Sequence, residues 1–178
     1  STDAEAVAGV IPKLARLAVE SLVTSGAIIE APKNATGLLA ERAACFVSIK
    51  TRDGDLRGCI GTIEPAKDSL AEEIVMNALH AATRDPRFVP VEPHELGNLR
   101  YSVDVLSTPE PATFETLDPA IYGLIVEDQA GTARGLLLPA LPGVDTATKQ
   151  VEITARKGGI PPGTPLKLQR FRVERFSE

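Results

Sequence analysis

The sequence predicts a single domain of the α+β class, in which a strongly curved, barrel-like and mainly antiparallel sheet carries its helices on the outside. Three observations lead there. Two stretches alternate apolar and polar residues on either side of a turn signal. The order strand, strand, helix, strand occurs twice along the chain. A length of 178 residues suffices for one well-buried core but is short for two. With 43% hydrophobic and 24% charged residues the composition is that of an ordinary globular protein, and the absence of Trp leaves Leu, Val, Ile and Ala to fill the core.

The elements follow in order. Pro12 suits the first position of a helix, with Leu14, Leu17, Ala18 and Leu22 on one face and a stop at Gly26; residues 1–10 read as a frayed extra turn. Residues 27–42 are irregular, broken by Pro32, Asn34 and Gly37. The run from Cys45 to Lys50 alternates as a half-buried strand, Arg52-Asp53-Gly54-Asp55 turns the chain, and residues 56–62 return as its partner. Residues 68–83 form an amphipathic helix, with Leu70, Ile74, Ala78, Ala81 and Ala82 inside and Glu72, Glu73, Asn77 and His80 on the opposite side. Asp85-Pro86 ends that helix, and residues 99–106 make a third strand.

The second half repeats this plan. Residues 47–58 lie over 124–135 without a gap, at an offset of 77, so that Gly54 meets Gly131 and Arg57-Gly58 meets Arg134-Gly135. A helix at 145–156 and a last strand at 166–176, bulged near Gln169-Arg170, complete it. The pseudo-repeats run over about 44–107 and 121–176 and are expected to share one sheet and one core. A pseudo-two-fold relation between them brings Arg57 and Arg134 toward a common groove.

A net charge of -5 argues against nucleic-acid binding through bulk charge. The basic strip of Arg156, Lys157, Lys167, Arg170, Arg172 and Arg175 reads as a solvated face balanced by Glu174 and Glu178. No apolar run approaches the ~20 residues of a membrane span, and the first twenty residues lack the apolar region of a secretion signal, so a cytoplasmic location with reduced thiols is expected. Cys45 and Cys59 have no metal-binding spacing, and the two histidines stand at unrelated positions; neither a metal nor a cofactor is expected. Walker, Rossmann and nucleophile-elbow sequences are absent.

The chemistry gathers in the strand 56–62. Alternation sends Leu56, Gly58 and Ile60 toward the core and Arg57, Cys59 and Gly61 to the other face. A guanidinium beside a thiol favours the thiolate. Gly58 and Gly61 let a ligand approach the backbone, and an arginine beside exposed N–H groups suits a carboxylate or phosphate. Asp85-Pro86-Arg87-Phe88 has a structural reading as helix stop, Asp–Arg pair and aromatic plug, and its charged pair is also available to line the groove; His80 or Asp85 is the candidate to handle protons. A second reading of Cys59 stays open: a core cysteine in a strand whose glycines mark a bulge or a tight crossing. His80 reads first as a solvated helix residue, with a site role as the alternative; Cys45 belongs in the core, and His94 in a loop.

The segment Leu56-Arg57-Gly58-Cys59-Ile60-Gly61-Thr62 resembles the signature region of the AMMECR1 family. Asp85-Pro86-Arg87-Phe88, Gly123-Leu124-Ile125-Val126 and Arg134-Gly135-Leu136-Leu137-Leu138-Pro139 resemble its other landmarks, in the right order, and the likeness runs from about Pro12 to Phe176. The stretch after Leu141 departs, being shorter than in many relatives and lacking their aromatic. The resemblance implies an α+β domain with a barrel-like sheet and internal duplication, with the signature segment as the functional site. For prokaryotic members it implies association with a Memo-like protein and a radical-SAM protein. It implies no activity. The expectation is an enzyme or enzyme component in which Cys59 is nucleophile or covalent acceptor, and Arg57 and Arg134 orient a small or protein-linked anion. The alternative is a non-catalytic binding module using the same groove.

Overall fold

The computed structural model describes residues 2–178. The chain forms two compact units, the first made of residues up to Val105 with Arg175–Glu178, the second of Leu106–Glu174.

The first unit holds helix α1 (Thr2–Ser25), strands β1 (Cys45–Thr51) and β2 (Leu56–Gly61), helix α2 (Leu70–Thr83) and strand β3 (Leu99–Leu106). Cys45, Val47 and Ile49 of β1 are completely buried while their alternates are not, as the sequence pattern predicts. Gly54, at a φ of 91°, closes the hairpin between β1 and β2, a conformation that only glycine adopts without strain. The register sets Val47 opposite Ile60, Ser48 opposite Cys59 and Ile49 opposite Gly58. Ser69 caps α2 by accepting a hydrogen bond from the Glu72 N–H.

Two helical expectations are corrected. Helix α1 begins at Thr2, and Pro12 lies inside it rather than at its start. The proline forgoes one hydrogen bond, but Ile11, Leu14, Ala15, Ala18 and Val19 make a continuous buried stripe across it, with Leu17 left exposed. On α2, Glu73 and Asn77 are completely buried, not on a solvated face. The Glu73 carboxylate accepts hydrogen bonds from Thr62 Oγ1 (2.6 Å), Ala66 N (2.9 Å) and Lys67 N (2.8 Å). Asn77 Nδ2 donates to the Cys45 carbonyl at 3.0 Å. The loop after β2 carries amides with no strand partner, and a buried carboxylate on the helix supplies one.

The second unit holds β4 (Glu110–Pro111), β5 (Gly123–Asp128), β6 (Arg134–Leu137), helix α3 (Ala147–Lys157) and β7 (Leu166–Phe171). Its core is built on Leu124, Val126 and Ile160, and Thr146 caps α3 by accepting from the Lys149 N–H.

The architecture is mixed α+β with antiparallel pairing, and the strands form two open four-stranded sheets instead of the single barrel-like one expected. Their orders are β2-β1-β3-β8 and β4-β7-β5-β6, β8 being Val173–Ser177. The last strand of the sequence reading is therefore two strands, divided at Arg172 between the two sheets. At Cys59, β2 meets side chains rather than another strand, which leaves it an edge.

Gly58 is held against α2 so closely that a Cβ would run into the Ala81 carbonyl, whereas a Cβ at Gly97 meets nothing within 4 Å. Gly58→Ala is expected to lower the unfolding free energy by about 1–3 kcal/mol through overpacking, with Gly97→Ala near neutral. Urea unfolding of both variants checks it; equal stabilities would refute the close helix–strand contact.

Candidate functional site

Edge strand β2 exposes its outward backbone groups at Cys59, and a side-chain pair takes both. Asp85 Oδ2 accepts from the Cys59 N–H at 2.9 Å, and Arg87 Nη2 donates to the Cys59 carbonyl at 3.4 Å. The pair imitates the carbonyl and amide of a neighbouring strand. Asp85 and Arg87 are themselves joined, Nε to Oδ1 at 3.0 Å and Nη2 to Oδ2 at 2.7 Å, and the Arg87 N–H adds a bond to Oδ1 at 3.1 Å. Asp85 is buried at 3% exposure, and the Arg87 guanidinium holds its carboxyl well below the usual carboxylate range against the opposing effect of burial. A carboxylate so saturated is a scaffold; the proton-handling role expected of it does not suit its bonding.

Cys59 itself is half-buried, and its Sγ lies 3.3 Å from Ser48 Oγ across the β1–β2 pair. It is thus not sealed in the core, unlike Cys45, whose thiol burial pushes up to about 12. What meets the two glycines here is protein: the α2 backbone at Gly58, and at Gly61 the ring of Phe46, its cross-strand partner.

Arg57 emerges beside Cys59 but is committed elsewhere. It makes a two-pronged ion pair with Glu95, 2.7 and 3.0 Å, and stands 5.9 Å from the Phe88 ring centre. The arginine holds the Glu95 carboxyl below its ordinary value. With Phe88, Val89, Pro90, Glu92, His94 and Glu95 it lines a cleft of about 360 Å³, and its Nη1 is buried without a hydrogen-bond partner.

His80 lines a different cavity of about 300 Å³ with Ile28, Val75, Met76 and Leu79, among others; Arg57 and Cys59 are not among its walls. Burial, then the charges of Arg84 and Lys67, lower its pKa. Arg134 opens β6 in the second unit, opposite Glu127.

Three residues at the site escaped the sequence reading. Ser48 and Asp104 share the Cys59 face of the sheet by alternation and register, Ser48 pairing with both Cys59 and Ser102 and Asp104 pairing with Phe46. Arg175 on β8 forms a two-pronged pair with Asp104, 2.7 and 2.9 Å. The basic strip is therefore dispersed: Arg170 bonds Glu110, Arg172 lies on the Tyr122 ring, and Arg175 belongs to the cysteine face. Only the alternation of β1 and β3 in the sequence pointed to Ser48 and Asp104. Among the described residues no group of three or more His, Cys, Asp or Glu is placed to hold a metal, and no helix is long and apolar enough to cross a membrane.

Fold and site together define a class: an α+β protein of two open antiparallel sheets with a half-exposed thiol beside a capped edge strand. A sequence model of the AMMECR1 family matches residues 12–178, and the chain belongs to that family. A protein of Thermotoga maritima is 47% identical over 161 residues, covering 89% of this chain and 91% of its own length. A longer protein of Clostridium acetobutylicum is 46% identical over 168 residues, covering 93% of this chain but only 35% of that protein. The crystal structure of an uncharacterised protein from Pyrococcus horikoshii, PH0010, superimposes with a TM-score of 0.84 at 34% identity, over 96% of this chain and 90% of that one.

Because native Asp85 ionises below the unfolded value of about 3.9, its stabilisation is complete above that value and is lost as pH falls through the native one. Asp85→Asn is expected to cost about 2 kcal/mol at neutral pH and to flatten the acid limb of the stability–pH curve. Urea unfolding at a series of pH values tests both; an unchanged acid limb refutes the assignment.

Proposed function

We propose that this protein is an enzyme, or the thiol-bearing component of one, in which Cys59 Sγ bonds to an electrophilic centre of an anionic substrate. The thiol gives up its proton to solvent, the sulfur–carbon bond forms at the electrophilic carbon, and the leaving group departs with the electron pair of the bond that breaks. One observation carries this reading: a half-exposed thiol, hydrogen-bonded by Ser48, on an edge strand whose backbone is clamped at that residue by Asp85 and Arg87. Ser48 and the backbone clamp of Asp85 and Arg87 hold the sulfur in place, while Arg57 shapes the adjoining cleft through Glu95.

We read the two halves as an internal duplication, and that reading favours the choice of cysteine. Two registers support that reading: at an offset of 77 residues, the pairs Val47–Ile60 and Ile49–Gly58 have counterparts in Leu124–Leu137 and Val126–Gly135. Gly58 meets the Ala81 carbonyl of α2, and Gly135 meets the Thr154 carbonyl of α3. At the position of Cys59 the second half carries Leu136, and at that of Ser48 it carries Ile125. Arg-Gly belongs to the shared hairpin; thiol and hydroxyl are particular to the first unit.

A binding role is the second reading, favoured by the Arg57 cleft and its unpartnered Nη1. The longer Clostridium relative, in which the matching segment is about a third of the chain, fits a protein that works beside another. A Memo-like and a radical-SAM protein are the partners proposed.

Iodoacetamide on the native protein is expected to modify Cys59 alone, roughly tenfold faster than free cysteine, with Cys45 reacting only on unfolding. Peptide mass spectrometry over a pH series reads both rates, and a Cys59 no faster than free cysteine refutes the nucleophile reading. In pull-down assays with the two proposed partners, binding that survives Cys59→Ser and is lost in Arg57→Ala favours the binding module instead.

A further inference from the structure

Two guanidiniums flank the row of residues that holds Cys59, one at the edge of β2 and one on β8, and both are held in the same way. Asp85 and Asp104 are almost wholly buried, at 3% and 4% exposure, whereas the side chains of Arg87 and Arg175 are 56% and 62% exposed. In each pair the carboxylate lies beneath and the cation above. Both arginines turn the same edge to their carboxylate, Nε to Oδ1 and Nη2 to Oδ2. A guanidinium is a rigid planar fork, so fixing that edge directs Nη1 and its two N–H groups away from the carboxylate. Neither Asp–Arg pair uses Nη1.

The ground between the two arginines is polar. Cys59, Ser48 and Ser102 form a row across β2, β1 and β3, and β8, which carries Arg175, is the next strand of the same sheet. Arg87 stands at the other end, against the outward edge of β2 at Cys59. The Ser48 hydroxyl is engaged with Cys59 Sγ, while Ser102 adds a second hydroxyl to the floor. A buried carboxylate under each cation cancels its charge in the interior but leaves its donors facing outward, which suits a transient oxyanion better than a permanent one.

We propose that Arg87 and Arg175, over the floor of Ser48 and Ser102, form a seat for the oxyanion group of the substrate, a phosphate or a carboxylate, beside Cys59. The assignment rests on the thiol reading above and moves the anion-holding role from Arg57, which Glu95 occupies, to a residue of the last strand. Arg175 is thereby a substrate-binding residue supplied by a segment more than a hundred positions away in sequence.

A matched pair of alkylating agents tests it, since iodoacetate carries a carboxylate and iodoacetamide does not. Rates at Cys59 are read by peptide mass spectrometry at low salt and neutral pH. The iodoacetate-to-iodoacetamide ratio is expected to exceed that of free cysteine, by less than the roughly fivefold per guanidinium that an uncompensated charge at 4 Å gives in water, because each carboxylate offsets part of the charge. It should fall as potassium chloride is added, fall in Arg87→Gln and Arg175→Gln, and be partly kept in Arg175→Lys. The salt series needs no variant, so a variant that fails to fold does not blunt the test. Inorganic phosphate and acetate are then compared as protectants against iodoacetate, and the one effective at lower concentration identifies the headgroup. A ratio equal to that of free cysteine, with protection by neither anion, overturns the seat. If Cys59 is then still fast with iodoacetamide, the nucleophile reading survives the loss; if it reacts with neither reagent, both fall.

Discussion

Strand β2 ends its sheet, and an edge strand must do something with the backbone groups that face outward. At Cys59 these groups are taken by Asp85 and Arg87, which reproduce with one carboxylate and one guanidinium the acceptor and donor of an absent strand. Much else follows from that contact. It satisfies the β2 edge at Cys59, ties the segment after α2 to the hairpin, and fixes the backbone of the one half-exposed cysteine. Asp85 pays for its burial with bonds to Arg87 and two backbone amides, so the clamp is stiff in a way that an isolated surface pair is not.

The same helix contributes a second anchorage from its buried side. Glu73 receives the loop that leaves β2, and Asn77 receives the carbonyl of Cys45 where β1 begins. Between them Gly58 lets the α2 backbone settle on the sheet. The two cysteines of the chain thereby acquire opposite characters. Cys45 is sealed under α2 with its thiol pushed upward, and Cys59, on the opposite face of the same hairpin, stands next to Ser48. Burial and pairing, rather than anything intrinsic to cysteine, separate the inert thiol from the candidate nucleophile.

The hairpin of the second unit makes a useful contrast with that of the first. Both units pair their strands in the corresponding order, β2-β1-β3 and β6-β5-β7, each with a helix after the second strand. In the second, Leu136 and Ile125 are buried where the first has Cys59 and Ser48. At the two positions facing each other across the hairpin the second unit is apolar, whereas the first carries a thiol and a hydroxyl there, with two ion pairs nearby. That difference supports placing the chemistry in the first unit.

Hairpins, turn glycines, the helix at 68–83 and the alternation that puts Cys59 opposite the core face were all determined by the sequence alone, because periodicity and turn chemistry are local properties. The family and the α+β class were legible for the same reason. What only the tertiary structure decided involves partners distant in the chain. Glu73 and Asn77 looked solvent-facing because helical periodicity cannot reveal a loop that folds over the helix to use them. Arg57 looked like the anion-binding arginine because its pairing with Glu95, across 38 residues, is invisible locally. Arg175 read as one more charge in a basic strip, and its place on the cysteine face is set by Asp104, 71 residues away. The division of the last strand between two open sheets likewise depends on which edges find partners, a question of assembly that a pattern along one strand does not contain.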